Sequence, residues 1–241
     1  MSTKNFQFPH VGETRDQTWT AVDAYAMPHS HPSSRPNTAA LENALLASKA
    51  AGLPDISASP AQAKFMALTC RMLSVTHALE VGTLGGYSAI WLASENPQLH
   101  LVTVEYDPHH AEVARKNIEF AGLTDRIEVI EGAGVDVLAK LKEEVLAGKR
   151  ERFSFTFIDA DKENNWNYFD MAADMSKPNT PICVDNVVRG GKLVDFSNQD
   201  SRILGAREVI EKAGKDPRVD SVVIQTVGEK SYDGCLWAVL N

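Results

Sequence analysis

The chain has 241 residues, of which 44% are hydrophobic, and it carries a formal net charge of −8 with a pI near 5.4. This length suits one large domain with a sizeable core. The acidic balance argues against nucleic-acid binding, which needs a basic face, and favours a protein that handles small molecules. Three widely spaced cysteines, no signal peptide and no run of 18 apolar residues predict reduced thiols, a cytoplasmic location and no membrane contact.

Residues 1–38 are polar and end in a segment rich in Pro, Ser and His, which predicts a partly extended N-terminal arm. His29 and His31 lie in this arm, and without a third ligand nearby a solvated loop is a better interpretation than a metal site. Two helices are predicted after the arm, with Thr38 and Ser59 as their N-terminal caps.

From residue 78 onwards, short apolar or β-branched runs alternate with amphipathic stretches. The runs that predict strands are 78–81, 101–105, 127–131, 153–159 and 181–185, and the helical stretches are 86–95, 108–121, 135–147 and 163–176. This alternation predicts right-handed βαβ units and a mainly parallel, doubly wound sheet with helices on both faces. Two further strands, 219–227 and 235–240, are separated by a turn too short for a helix, which predicts a C-terminal antiparallel hairpin. We therefore expect residues 39–241 to form a single α/β domain.

A glycine-rich segment, LEVGTLGGYSA, follows the first strand of the alternating part. Gly82, Gly85 and Gly86 allow the backbone to approach a ligand closely, and the helix after them offers its N-terminus. Glu105 ends the second strand, where an acid suits the two hydroxyls of a ribose. Together these features predict a nucleoside-binding edge.

The spacing of the glycines and a neighbouring acid indicate which nucleoside is bound. GxxGG differs from the GxGxxG that cradles the pyrophosphate of a dinucleotide. Glu80 lies just before the glycines, where it would repel a pyrophosphate and attract a cationic ligand end. An adenosine ligand with a positive end indicates S-adenosylmethionine. An NAD(P)-dependent oxidoreductase and a glycine turn without a ligand stay as alternatives.

Oxygen-bearing side chains follow the fourth and fifth strands. Asp159 and Asp185 end these strands and Asn186 comes next, at the edge of the sheet where ligands bind. Three oxygen ligands suit Mg²⁺, with Ca²⁺ and Mn²⁺ as alternatives, and leave about three positions for water or the two hydroxyls of a catechol. Lys162 is one short turn away, where it can take a phenolic proton. The alternative is that both aspartates only cap helices and that the lysine forms a surface ion pair with Asp161 or Glu163.

From about residue 40 to its end the chain resembles the cation-dependent S-adenosylmethionine O-methyltransferases, the family of caffeoyl-CoA and catechol O-methyltransferases, and its bacterial and fungal members in particular. The resemblance is carried by LEVGTLGGYSAIWLA, VTVEYDPHHAEVARKNIEFAGL, IEGAG, FIDADKENN, VDNVVRGG and DPRVDSVVIQTVGEKSYDG. It implies a seven-stranded Rossmann-like sheet with one antiparallel strand, which agrees with the predicted hairpin. It also implies a homodimer.

The resemblance further implies roles for particular residues. The cofactor-binding positions are Glu80, Gly82, Thr83, Ser88, Glu105, Gly134 and Asp161. The metal ligands are Asp159, Asp185 and Asn186, and Lys162 aligns with the proposed catalytic lysine. The plant enzymes have a tyrosine at the position of Asn165, a tryptophan at Arg189, and at Gly190 an asparagine that helps to hold the substrate. These differences argue against a caffeoyl-CoA acceptor. They also make Asn165 a candidate for determining the acceptor.

The predicted activity is therefore transfer of a methyl group to one hydroxyl of a vicinal aromatic diol, such as a catechol, a flavonoid or another phenolic, with Asp159 and Lys162 as catalytic residues. A non-catalytic S-adenosylmethionine-binding protein and a different nucleophile, an amine or an isolated phenol, stay as alternatives. Trp166, Tyr168 and Arg189 are candidates for the acceptor pocket, although the two aromatic residues suit helix packing equally well.

Overall fold

The computed structural model describes residues 16–241, which contain a seven-stranded sheet with the strand order β3-β2-β1-β4-β5-β7-β6. The strands are β1 His77–Val81, β2 His100–Glu105, β3 Ile127–Glu131, β4 Phe155–Ile158, β5 Pro181–Val184, β6 Val219–Val227 and β7 Tyr232–Leu240. β1 to β5 are parallel, and β7 runs antiparallel to both of its neighbours. The predicted α/β class, the mostly parallel sheet and the C-terminal hairpin are confirmed.

Eight helices and two 3-10 segments accompany the strands in this part of the chain. The helices are α1 Gln17–Ser30, α2 Thr38–Ala50, α3 Pro60–Met72, α4 Tyr87–Glu95, α5 Pro108–Phe120, α6 Gly134–Leu146, α7 Asn165–Met175 and α8 Ser201–Ala213. The 3-10 segments are Lys162–Asn164 and Arg189–Val194. None of these helices is both long and apolar enough to cross a membrane.

Side-chain caps explain where several helices begin. Ser59 accepts a hydrogen bond from the Gln62 amide at 3.2 Å, as predicted for α3. The cap predicted for α2 is wrong by one position, because the helix begins at Thr38 and Asn37 precedes it without a side-chain cap. The Asn37 amide donates instead to Ser94 Oγ at 2.9 Å, so this side chain ties α2 to α4.

The hydrophobic core lies on both faces of the sheet. One face is covered by α6, α7 and α8, and its largest buried side chains include Phe153, Phe169 and Tyr168. The other face is covered by α2 to α5, where Trp91 and Met66 are fully buried. Helices on both faces are what the doubly wound interpretation requires. The predicted reduced thiols Cys70, Cys183 and Cys235 are all buried and free.

The N-terminal arm differs from the prediction. Residues 17–30 form α1 rather than an extended segment, because Asp16 caps the helix by accepting from the Thr18 amide at 2.7 Å. His31 does not lie in a solvated loop but packs on Trp91 with 4.4 Å between ring centroids. Lys64 Nζ donates to the Ser30 carbonyl at 2.7 Å and anchors the end of α1 to α3. Residues 1–15 of the predicted arm lie outside the described residues.

Candidate active site

A cleft of about 1120 Å³ opens at the carboxyl ends of the parallel strands. This is the edge of an open α/β sheet at which ligands bind. Nine of the predicted site residues line it: Gly82, Thr83, Ser88, Glu105, Gly134, Asp159, Asp161, Lys162 and Asn186. Glu80 and Asp185 are buried behind its wall.

Gly82 sets the close approach between the glycine loop and the end of β4. Its φ of +104° disfavours other residues, and a Cβ there would lie 2.1 Å from the carbonyl oxygen of Asp159. The loop therefore passes directly over the strand end that carries the first predicted metal ligand. Any side chain at this position would separate the cofactor loop from Asp159.

Glu105 ends β2 with its carboxylate fixed by backbone amides. One oxygen accepts from the Thr83 and Leu84 amides at 3.2 and 2.7 Å, and the other accepts from the Asp107 amide at 2.9 Å. A carboxylate offers about four lone-pair directions. The acid is thus held in place while part of its accepting capacity stays open to a ribose hydroxyl, as the predicted role requires.

Glu80 is placed differently from the prediction that it contacts the cofactor. It is fully buried and does not line the cleft. Ser88 Oγ donates to one of its carboxylate oxygens, and Thr103 Oγ1 donates to the other at 2.6 Å. Burial raises the pKa of Glu80 to about 7 against the opposing effect of these two hydroxyls. Glu80 therefore joins β1, β2 and α4 beneath the glycine loop.

Lys162 reaches the predicted metal site. Its side chain is almost buried, and Nζ lies 2.6 Å from Asp159 Oδ1. The alternative of a surface ion pair with Asp161 or Glu163 is wrong, because the lysine is almost buried and pairs with Asp159. Glu163 accepts instead from Ser201 Oγ at 2.6 Å, and Asp161 accepts from Tyr168 and Asn164. The two residues predicted to be catalytic therefore lie in contact.

Asp185 stands next to this pair. Its Oδ1 accepts from the Asn186 amide at 2.7 Å and from the Cys235 thiol at 3.1 Å. Burial, followed by the nearby Asp159 carboxylate, raises the pKa of Asp185 to about 6, and Lys162 opposes this shift. Neither aspartate accepts a hydrogen bond from the first turn of a helix, so the alternative that both are helix caps is not supported.

The donor set at this point fits a hard divalent cation. Asp159, which contacts Lys162, and the nearby Asp185 supply two carboxylates, and the Asn186 side chain adds an amide oxygen. Within residues 16–241 no group of three or more His, Cys, Asp or Glu side chains is placed to hold a metal, so a site here depends on the asparagine. Carboxylate and amide oxygens are what Mg²⁺ and Ca²⁺ prefer.

The candidate acceptor residues separate into three groups. Arg189 and Tyr168 line the cleft, whereas Trp166 stacks on Phe169 at 5.7 Å and packs on the far side of α7. Asn165 is fully buried, and both polar atoms of its side chain lack a hydrogen-bond partner. It does not line the cleft, so the structure gives it no contact with an acceptor.

Supporting residues were missed by the sequence reasoning. Thr103 holds Glu80, Cys235 holds Asp185, and Asp233 accepts from the Arg189 amide at 2.8 Å. Thr103 and Glu80 are paired in the register of β1 and β2. The signal for such contacts is strand register, which one sequence does not specify.

Comparison with known proteins identifies the family of this chain. The family model for O-methyltransferases matches residues 32–232. The O-methyltransferase imqG of Aspergillus flavus is 55% identical over 94% of this chain and 93% of its own, and a catechol O-methyltransferase of Mycobacterium tuberculosis is 45% identical over 84% and 89%. The O-methyltransferase of Bacillus cereus, solved in complex with S-adenosylhomocysteine (SAH), is 44% identical, covers 93% of this chain and 99% of its own, and superposes with a TM-score of 0.86.

These matches remove the oxidoreductase alternative and the alternative of a non-catalytic binding protein. The chain belongs to the family of S-adenosylmethionine-dependent O-methyltransferases.

Proposed function

We propose that this enzyme methylates one hydroxyl of a vicinal aromatic diol and that it depends on a divalent cation, Mg²⁺ in the first place. The observation that carries the proposal is the contact of 2.6 Å between Lys162 Nζ and Asp159 Oδ1, inside the cleft and beside the buried Asp185. An acceptor for the phenolic proton thus lies next to oxygen ligands for a cation. The relatives that are named catechol O-methyltransferases support the same acceptor class.

Each residue has a distinct task in this proposal. Asp159, Asp185 and Asn186 would hold the cation, which supplies Lewis acidity toward the diol oxygens when it is bound. Lys162, as the neutral amine formed when its ammonium gives up a proton to solvent, accepts the proton of the hydroxyl that is methylated. The oxygen then takes the methyl group from the sulfonium of the donor, which leaves as SAH. Glu105 fixes the ribose of the methyl donor, so that the acceptor oxygen and the methyl group are brought together in one orientation. Such positioning supplies a large part of the rate enhancement in group transfer.

The test is an assay with S-adenosylmethionine carrying a labelled methyl group. Catechol, phenol and aniline serve as acceptors, each with Mg²⁺ and with a chelator in excess. We expect labelled product from catechol only, and only with the metal. Full turnover in the chelator would contradict the cation requirement, and equal turnover of phenol or aniline would contradict the diol requirement.

The variant Asp159→Ala tests the assignment of Asp159 as a ligand of the cation. It should abolish turnover of catechol and leave the affinity for SAH within about twofold, since its side chain is assigned to the cation. Glu112→Ala is the control, because it removes an exposed acid whose partner is Lys116 on the surface of α5. Normal turnover of Asp159→Ala with Mg²⁺ would show that Asp159 is not a ligand that the reaction needs.

A further inference from the structure

Tyr168 combines a buried ring with a hydroxyl that reaches the cleft. The side chain comes from α7 and is only 2% exposed, and its hydroxyl donates to Asp161 Oδ1 at 2.5 Å. The other oxygen of Asp161 accepts from Asn164 Nδ2 at 2.5 Å. Asp161 itself is exposed, and a carboxylate in such a position would ordinarily rotate freely. Here both of its oxygens are held from the protein side.

Gly134 provides the room for this arrangement. A Cβ on Gly134 would lie 2.8 Å from both Cε1 and the hydroxyl oxygen of Tyr168. Real Cβ atoms do not approach other atoms so closely, so an alanine at this position would displace the tyrosine from its present place. The resemblance assigned Gly134 to the cofactor-binding positions. In the structure, the space left by its missing side chain is taken by the tyrosine.

The chemistry of the carboxylate indicates what the arrangement serves. An ionised carboxylate only accepts hydrogen bonds. The adenine edge offers a single donor group, its exocyclic amine, and its ring nitrogens are acceptors. Gly134, Asp161 and the Tyr168 hydroxyl lie together on one wall of the cleft, so a base bound there meets a carboxylate with a fixed orientation.

We infer that Tyr168 is a positioning residue for recognition of the cofactor base: it holds Asp161 so that the carboxylate accepts from the adenine amine, and Gly134 admits the tyrosine. The inference rests on the cofactor of this family and is independent of the methyl acceptor and of the cation. Gly134 thereby has a role in shaping the wall of the cleft. Direct contact between Gly134 and the cofactor is not needed for that role.

Binding is measured by isothermal titration calorimetry with two probes, SAH and S-inosylhomocysteine, whose base carries an oxygen in place of the amine. Tyr168→Phe keeps the ring and removes the hydroxyl. We expect it to weaken SAH roughly 10- to 150-fold, the range of one hydrogen bond to a charged group, and to leave the inosine analogue within about twofold. Tyr232→Phe is the matched control, since its hydroxyl bonds to Gln225 outside the cleft.

A double-mutant cycle separates positioning from a general loss of structure. Tyr168→Phe should cost no further affinity for SAH in the background of Asp161→Ala, because the hydroxyl acts through that carboxylate. Gly134→Ala should reproduce the selective loss of SAH. Equal weakening of both probes, or additive effects in the cycle, would overturn the inference. Failure of the unaltered enzyme to bind SAH would instead contradict the cofactor assignment.

Discussion

At the scale of single residues, Lys162 offers the sharpest test of the chemistry. It is 7% exposed and its ammonium contacts Asp159, so its position is fixed before any acceptor binds. Lys162→Ala should lower kcat for catechol by about 10²- to 10⁴-fold, the range of general base catalysis, with a much smaller change in KM. Steady-state kinetics at saturating S-adenosylmethionine measure both constants.

Lys162→Arg is the informative companion. The guanidinium keeps the positive charge beside Asp159 but does not give up its proton in proteins, so it cannot serve as a base. We expect kcat to be as low as in Lys162→Ala. If the arginine variant kept most of the wild-type rate, charge alone would explain the role of this residue and the assignment of a base would be wrong.

Glu80 makes a prediction about pH. Its pKa in the folded state is about 7, above the value of about 4.5 that is usual for glutamate, because burial disfavours the charge. The neutral form is therefore favoured by folding. Its contribution to the free energy of unfolding is fully present below about pH 4.5 and is lost as the pH rises through about 7. Full loss amounts to an order of 3 kcal/mol.

The measurement is urea denaturation of the wild type and of Glu80→Gln between pH 4.5 and 8.5, in a chelator so that metal binding does not contribute. Glutamine does not titrate, and the other ionisable groups are common to both proteins. The wild type should lose stability relative to the variant as the pH rises, with the steepest change between about 4.5 and 7 and little further loss above that range. Parallel stability curves would show that Glu80 keeps an ordinary pKa.

At the scale of elements, the sequence predicts most of the sheet and misses part of what surrounds it. The β-branched runs located β1 to β5 within a few residues, because buried parallel strands are short and apolar. α8 was not predicted. It is this helix that supports the 3-10 segment carrying Lys162, since a Cβ on Gly205 would lie 2.0 Å from the Lys162 carbonyl oxygen. Such a contact joins residues far apart in the chain and leaves no periodic pattern in either segment.

Gly205→Ala tests this support. In a helix interior alanine is more favourable than glycine by about 1 kcal/mol, so helix propensity alone predicts a more stable protein. The added methyl would meet rigid backbone at 2.0 Å, and overpacking of this kind costs about 1–3 kcal/mol. We therefore expect a lower melting temperature and a lower kcat for Gly205→Ala, because the clash displaces the segment that carries Lys162.

Gly214→Ala is the control at the end of the same helix, where a Cβ would have 3.3 Å to its nearest neighbour, the Ile210 carbonyl oxygen. It should leave kcat unchanged. A Gly205→Ala variant that is more stable and fully active would mean that α8 can move away from the 3-10 segment without disturbing Lys162.

At the scale of the whole molecule, no segment within residues 16–241 covers one edge of the sheet. On the face shared with α3, the β6–β7 edge presents Val222 at 56% exposure, Ile224 at 44% and Val239 at 45%. Phe65 of α3 packs edge-on against Trp237 of β7 and is itself half exposed, so it continues the same surface. Contiguous apolar surface of this kind marks an interaction site in a soluble protein.

A second copy of the chain is the occupant that we propose, in keeping with the homodimer that the family resemblance implies. A twofold axis through this edge would place each apolar surface on its counterpart.

Light scattering after size exclusion should give twice the 26.4 kDa of one chain, and Val222→Asp with Ile224→Asp should give 26.4 kDa. Val227→Asp, on the same strand but the opposite face, should leave the dimer intact. None of these valine and isoleucine residues lines the cleft, so SAH binding should persist in every variant. Persistent SAH binding would show that a changed mass does not arise from unfolding. A wild-type mass of 26.4 kDa, or a dimer that survives both aspartates, would place the partner surface elsewhere.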